Sequence, residues 1–220
     1  MSNYAVARLD EVEEQNDGRC PWRPVAFHLG VTSFGANAWT AHDVGDRIIN
    51  EHDESEPYSD EELYLVLRGR ATFELDGERV DAPVGTLVFA SPGVKRTAIA
   101  AEPETTILAL GGVPGKAYEP SAWPIWNPLN HLYEAGRYEE AIERGRELLE
   151  ANPGYGGLFY NVACCESLAG RTDDAIEDLR RAIELSERSR AYAREDSDFD
   201  PIRDAPAFKE LVEPSQQARA

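Results

Sequence analysis

Residues 62–80, ELYLVLRGRATFELDGERV, decide how the first half of the chain folds. Ala71, Phe73 and Leu75 alternate with Thr72 and Glu74, the period of two that gives a strand one buried and one exposed face. Asp76-Gly77 follows, a pair suited to a tight turn, and Glu78-Arg79-Val80 runs back, so the stretch reads as a β-hairpin. Just upstream, LYLVL at 63–67 is apolar at every position, and such a strand needs cover on both faces. Phased together, Tyr64, Val66, Phe73 and Leu75, with Val88 and Ile107 from later strands, form the predicted core.

Outward from this hairpin, further strands are expected at Arg47 to His52, Glu62 to Leu67, Thr86 to Ala90, Lys95 to Ala100 and Thr105 to Leu110. Short, evenly spaced strands with Gly and Pro turns favour an antiparallel sandwich or barrel. The composition changes after GGVPG at 111–115, and up to Pro128 the chain reads as a connector carrying Trp123 and Trp126. Helices are then expected over Tyr133 to Ala151, Leu158 to Ala169 and Thr172 to Leu185, followed by a loop and a last short helix in DSDFDPIRDAPAFKELV at 196–212. The expected organisation is an N-terminal extension 1–24, a β-barrel 25–112, a linker 113–126, helical repeats 127–186 and a C-terminal segment 187–220.

A chain of 220 residues holds one ordinary domain or two small ones. The net charge of −19 argues against a nucleic-acid partner, because phosphate binding needs clustered Lys and Arg. No stretch approaches the roughly 18 apolar residues that span a membrane, and the start MSNYAVARLDEVEEQNDGRC lacks the basic and apolar regions of a secretory signal. The expectation is a cytoplasmic protein without membrane contact. Cys164 and Cys165 are adjacent, Cys20 stands alone and no Cys-x-x-Cys occurs, so the helical cysteines read as small buried apolar residues.

Two runs of residues carry a resemblance. Gly45 leads to His52 and Glu54, and Glu62 stands with six residues before Gly69; Gly85, Gly93, Arg96 and Ala100 follow at fixed offsets, with Ser91 between. This resembles the two motifs of the cupin superfamily, over about 80 residues, with a longer gap between Glu54 and Glu62 than the family pattern has. The resemblance implies an antiparallel jelly-roll barrel in which three His and one Glu hold a divalent metal. Here Glu54 replaces one His and Arg96 another, while Ser91 and Ala100 stand where Pro and Asn would. Arg96 has donors only and a permanent charge, so it cannot ligate a metal; it would pair with Glu62 or Glu54, or grip an anionic ligand group. Two readings stay open. One is a cofactor-free pocket for a small polar ligand, formed by Arg96, Glu62, Glu54, His52 and Tyr64. The other is one Fe, Mn, Ni or Zn ion on His52, Glu54 and Glu62, in an enzyme of isomerase, dioxygenase or lyase type. Because cupin barrels commonly pair through strand faces, the LYLVL strand also implies a homodimer. The segment 51–62 holds seven acidic residues in twelve, read as a solvated loop at the barrel mouth or as an entrance favouring cationic ligands. His28, His42 and His131 share no motif with His52 and are expected to be structural or exposed.

The helical part repeats at 34 residues: Gly136 with Gly170, Ala141 with Ala175, Ile142 with Ile176. Tyr138, Leu148 and Pro153 in the first copy, and Leu179 and Ala182 in the second, complete a pattern similar to the tetratricopeptide repeat. That resemblance implies helical hairpins that dock a protein or peptide. The fold class expected is therefore α+β in two parts, an antiparallel barrel followed by helical hairpins.

Overall fold

The computed structural model describes residues 4–55 and 59–213. The chain forms two compact units, Met1–Pro120 and Ser121–Ala220. The first contains β1 (Trp22–Arg23), α1 (Val25–Leu29), β2 (Gly35–Thr40), β3 (Arg47–His52), β4 (Glu61–Arg68), β5 (Arg70–Leu75), β6 (Glu78–Pro83), β7 (Leu87–Ala90), β8 (Arg96–Ala100) and β9 (Thr106–Gly112).

Instead of one closed barrel, the strands lie in two antiparallel sheets, ordered β1-β2-β9-β4-β7 and β3-β8-β5-β6. One core joins the sheets' inner faces, with the Tyr64 ring 5.5 Å from that of Phe73. Tyr64, Val66, Phe73, Val88 and Ile107 are buried as their alternation predicts, while Leu75 is half-buried against the same core. The hairpin closes through Asp76 (φ 49°) and Gly77 (φ 86°), the two left-handed positions that a type I′ turn requires, and sets Phe73 opposite Val80. Gly69 has a similar need: its φ is +69°, and a Cβ there would sit 2.5 Å from the Thr105 hydroxyl oxygen.

Strand β4 also has an apolar outer face. Leu63 stands between Phe89 and Leu110, and Leu65 between Leu87 and Leu108. Leu87 and Phe89, on the sheet's edge strand, are 62% and 58% exposed. Strand β2 is absent from the expected strands because GANAWT is built of small residues, whose alternation is faint; Trp39 is its one large inward residue.

The second unit contains α2 (Trp123–Glu134), α3 (Tyr138–Ala151), α4 (Gly156–Leu168), α5 (Thr172–Leu185), α6 (Arg188–Glu195) and α7 (Pro206–Val212), with a 3₁₀ turn at Ser197–Ile202. The expected linker 113–126 therefore runs into a helix. Pro124 sits in the first turn of α2, where no N–H is needed, and Pro128 is accommodated inside it. The expected helix 133–151 is divided at Gly136, whose φ is +69°. The break matches the one at Gly170: the N–H of Arg137 reaches the Leu132 carbonyl at 2.9 Å, and that of Arg171 reaches Glu166 at 2.8 Å. Helices α3 and α5 begin and end 34 residues apart, and Ala141, Ile142, Ala175 and Ile176 are all buried. No helix among the described residues is long and apolar enough to cross a membrane.

Candidate functional site

His52, Glu62, Tyr64 and Arg96 meet because each occupies an inward strand position. Arg96 pairs with His52 across β8 and β3 and with Leu75 across β8 and β5. A register shift in β3 just before His52 re-aims that strand's end toward the core. From the facing sheet, Glu62 and Tyr64 project two residues apart on one face of β4. Glu54 follows β3 in a loop, held in the left-handed region (φ 51°), a conformation that is strained for a residue other than glycine. The carbonyl of its neighbour Asp53 is anchored by the Gly93 N–H at 2.7 Å.

Glu62 Oε2 is the hub. Arg96 donates to it from Nε at 3.1 Å and Nη2 at 2.9 Å, and the Tyr64 hydroxyl donates to the same oxygen. His52 Nε2 lies 3.0 Å from it. The other His52 nitrogen, Nδ1, lies 2.7 Å from the Asn50 carbonyl, which can only accept, so Nδ1 carries a hydrogen. With Nε2 also facing a carboxylate, the imidazole is favoured in its doubly protonated form, and the Glu62 hydrogen bond raises its pKa. Burial alone would raise the Glu62 carboxyl, yet the donors His52 and Tyr64 and the charges of His52 and Arg96 hold it below its ordinary value. Burial, and then the Glu62 charge, push the Tyr64 hydroxyl far up and keep it a donor. The Arg96 side chain is 0% exposed and also donates to the Val94 carbonyl at 2.8 Å.

Glu54 is the group left over. Its Oε1 lies 3.5 Å from His52 Nε2, and its Oε2 is buried without a hydrogen-bond partner. Burial, and secondarily Glu62, raise its pKa. His52, Glu54, Glu62 and Tyr64 line a cavity of about 550 Å³ whose apolar wall includes Cys20, Trp39, Ile48 and Ile49, whereas the buried Arg96 is not part of its lining. The acidic segment 51–62 is thus only partly the solvated loop its charge suggests: Glu54 and Glu62 turn inward, and residues 56–58 lie outside those described. Asn50, whose carbonyl accepts the His52 Nδ1 proton, and Trp39 were not among the expected site residues. Trp39 stands in the small-residue strand 35–40, whose faint alternation gives little signal, and a backbone carbonyl leaves no trace in a sequence. Of the other histidines, His42 pairs with Glu104 at 3.0 Å and His131 contacts the Pro128 carbonyl; both lie on the surface.

His52, Glu54 and Glu62 can each offer one atom within 4.8 Å of the others, the donor types a divalent transition metal takes. The arrangement fits such an ion poorly. Glu62 Oε2, which faces His52, is already engaged by Arg96 and Tyr64, so a metal would have to take the other carboxylate oxygen. A permanent guanidinium charge stands where the cupin pattern has a further imidazole, and it would repel a dication.

No protein-family model matches this chain, and no curated protein matches it. Solved cupin structures do. A cupin protein from Bacteroides fragilis is 18% identical over 55% of this chain and 93% of its own, with a TM-score of 0.39. A predicted oxalate decarboxylase from Thermotoga maritima is 16% identical over 50% and 99%, with a TM-score of 0.42. A sugar phosphate isomerase of the cupin superfamily from Silicibacter pomeroyi is 16% identical over 49% and 74%, with a TM-score of 0.41.

Proposed function

We propose that the first unit is a cupin-type module that binds a small polar molecule in the cavity at His52, Glu54, Glu62, Tyr64 and Arg96, without a metal. The observation that supports this reading is Arg96: fully buried, it neutralises Glu62 and occupies the place where a metal ligand would stand. The second unit is a tetratricopeptide-type element that docks a protein or peptide, a reading supported by the 34-residue recurrence of its helices and of its small and apolar contacts. Fewer than three such repeats rarely stand alone, and α6, the 3₁₀ turn and α7 supply cover: Phe199, Ile202 and Phe208 pack on Ala175, Ile176 and Leu179. The apolar outer face of β4 and β7 favours a homodimer of the whole chain.

The competing reading is a metal-dependent enzyme on His52, Glu54 and Glu62, favoured by their mutual reach. Equilibrium dialysis against Mn²⁺, Ni²⁺ and Zn²⁺ separates the two. The natural protein should retain none of the ions, while Arg96→His, which frees Glu62 and adds an imidazole, should gain affinity for at least one. Tight binding by the natural protein, with no gain in Arg96→His, would reverse the assignment.

A further inference from the structure

We infer that the helical unit holds a proton between Glu166 and Asp178, and that this proton clamps α4 to α5: while it is in place the hairpin stays closed around Arg146, and its loss loosens the hairpin. The inference concerns the second unit alone and does not depend on what either unit binds.

The geometry brings two buried carboxyl groups together on one cation. Glu166, on α4, has a side chain with 0% exposure, and Asp178, on α5, is buried as well. Arg146, from α3, donates through Nη2 to Glu166 Oε1, and the same nitrogen comes no closer than 3.5 Å to Asp178 Oδ2. Glu166 Oε2 and Asp178 Oδ2 are left without a donor, although the two carboxyl groups lie within hydrogen-bond reach of each other. Buried polar atoms are normally paired. One proton on Glu166 Oε2, donated to Asp178, satisfies both oxygens and leaves one carboxylate against one guanidinium. Two ionised carboxylates would instead bury a negative charge that Arg146 cannot cancel.

The surroundings supply no second cation. On α5, Asp174 and Glu177 add negative charge beside Asp178. Arg171, at the start of α5, is committed to Asp174 at 2.7 Å and to Glu139 of α3 at 3.4 Å. Next to Glu166 on α4, Cys165 is a neutral thiol, pushed up to about 12 by burial. On the sides of α4 toward α2, α6 and the 3₁₀ turn stand Tyr133, Tyr192, Asp196 and Asp198, which engage one another, Tyr160 and Cys164. Burial, and next the Asp178 charge, accordingly raise the Glu166 carboxyl to about 8. Ala163 and Ala175, both 0% exposed, set α4 close against α5, so an ionised Glu166 gains water only when the helices part. Closed, Glu166 keeps its proton up to about 8; opened, it ionises at its ordinary value of 4.5. Opening is therefore most suppressed below 4.5, becomes about tenfold more frequent per pH unit between the two values, and levels off as pH passes about 8.

The test is amide hydrogen exchange of the full chain from pH 5 to 9, corrected for the pH dependence of the intrinsic rate and read over α4 and α5. Protection there should fall about tenfold per pH unit up to about 8 and then level off, while β4 and β5 of the first unit keep theirs. In Glu166→Gln, checked for native circular dichroism, the fall should vanish. Asp178→Asn, which removes the neighbouring charge and offers Glu166 a donor, should bring the levelling point to lower pH, and Arg146→Gln should take it higher; a merely structural contact would move neither. Protection that does not change with pH, or a fall that survives Glu166→Gln, overturns the inference. Should Glu166→Gln not fold, carbon NMR of the glutamate side-chain carboxyls in the natural protein decides: one that titrates near 8 and moves down in Asp178→Asn upholds the clamp, and none above about 6 overturns it.

Discussion

Replacing Arg96 with Ala removes the group on which the pocket is built, and the structure sets the size of the effect. Two hydrogen bonds to Glu62 Oε2 and one to the Val94 carbonyl disappear, from a side chain with 0% exposure. Taking away one partner of a buried ion pair costs about 3–5 kcal/mol, because the other charge is left in a poor medium. Glu62 keeps the Tyr64 hydroxyl and His52, and its side chain is 18% exposed, which argues for the lower end of that range. The void left by the buried guanidinium pushes the other way. The expected loss is therefore about 3 to 4 kcal/mol, read by urea unfolding of the full chain followed by tryptophan fluorescence. Arg96→His should recover part of it, since an imidazolium can still donate to Glu62. A loss below about 1 kcal/mol in Arg96→Ala would mean that the pair is worth no more than a surface contact, and would refute the reasoning.

Phe73, 0% exposed at the meeting of the two sheets, should cost about 3–5 kcal/mol on replacement by Ala in the same unfolding assay; below about 1 kcal/mol the strand phase is wrong. In the helical unit, burial, and next the Asp178 charge, raise the Glu166 carboxyl to about 8. The folded state therefore holds its proton more tightly than the unfolded chain, and the associated stability is complete below the ordinary value of 4.5 and lost as pH rises through about 8. Glu166→Gln, which has no proton to lose, should flatten that decline when stability is measured from pH 5 to 9; an unchanged slope counts against the raised Glu166 carboxyl. Light scattering should give twice the 24.4 kDa chain mass, and Phe89→Glu on the exposed outer face should return it to one; a monomer before mutation removes the dimer.

Much of this was legible in the sequence wherever one face of an element is buried and the other is wet. Phe73 against Thr72 and Glu74, or Ala141 and Ile142 repeated as Ala175 and Ile176, carry their burial in their spacing. Which strands share a sheet was not legible, because alternation gives a strand's phase and not its partners. Helix α2 was hidden by Pro124 and Pro128, which act as breakers in most contexts but are tolerated in a first turn and in a helix packed through Ile125, Trp126 and Leu129. At the site, the meeting of His52, Glu62, Tyr64 and Arg96 follows from inward strand positions. The partnerless Glu54 oxygen does not, since it depends on a left-handed loop residue. The Glu166–Asp178 pair, on α4 and α5, carries no motif; it becomes visible only when helices bring two carboxylates together with Arg146 as their shared cation.

The most direct test of the central claim is the metal content of the natural protein, purified without added metal or chelator and measured by plasma mass spectrometry. The Arg96–Glu62 centre predicts far less than one Fe, Mn, Ni or Zn per chain, with His52→Ala no different. About one such ion per chain, lost in His52→Ala, would contradict the account and place a metal centre where it puts an ion pair.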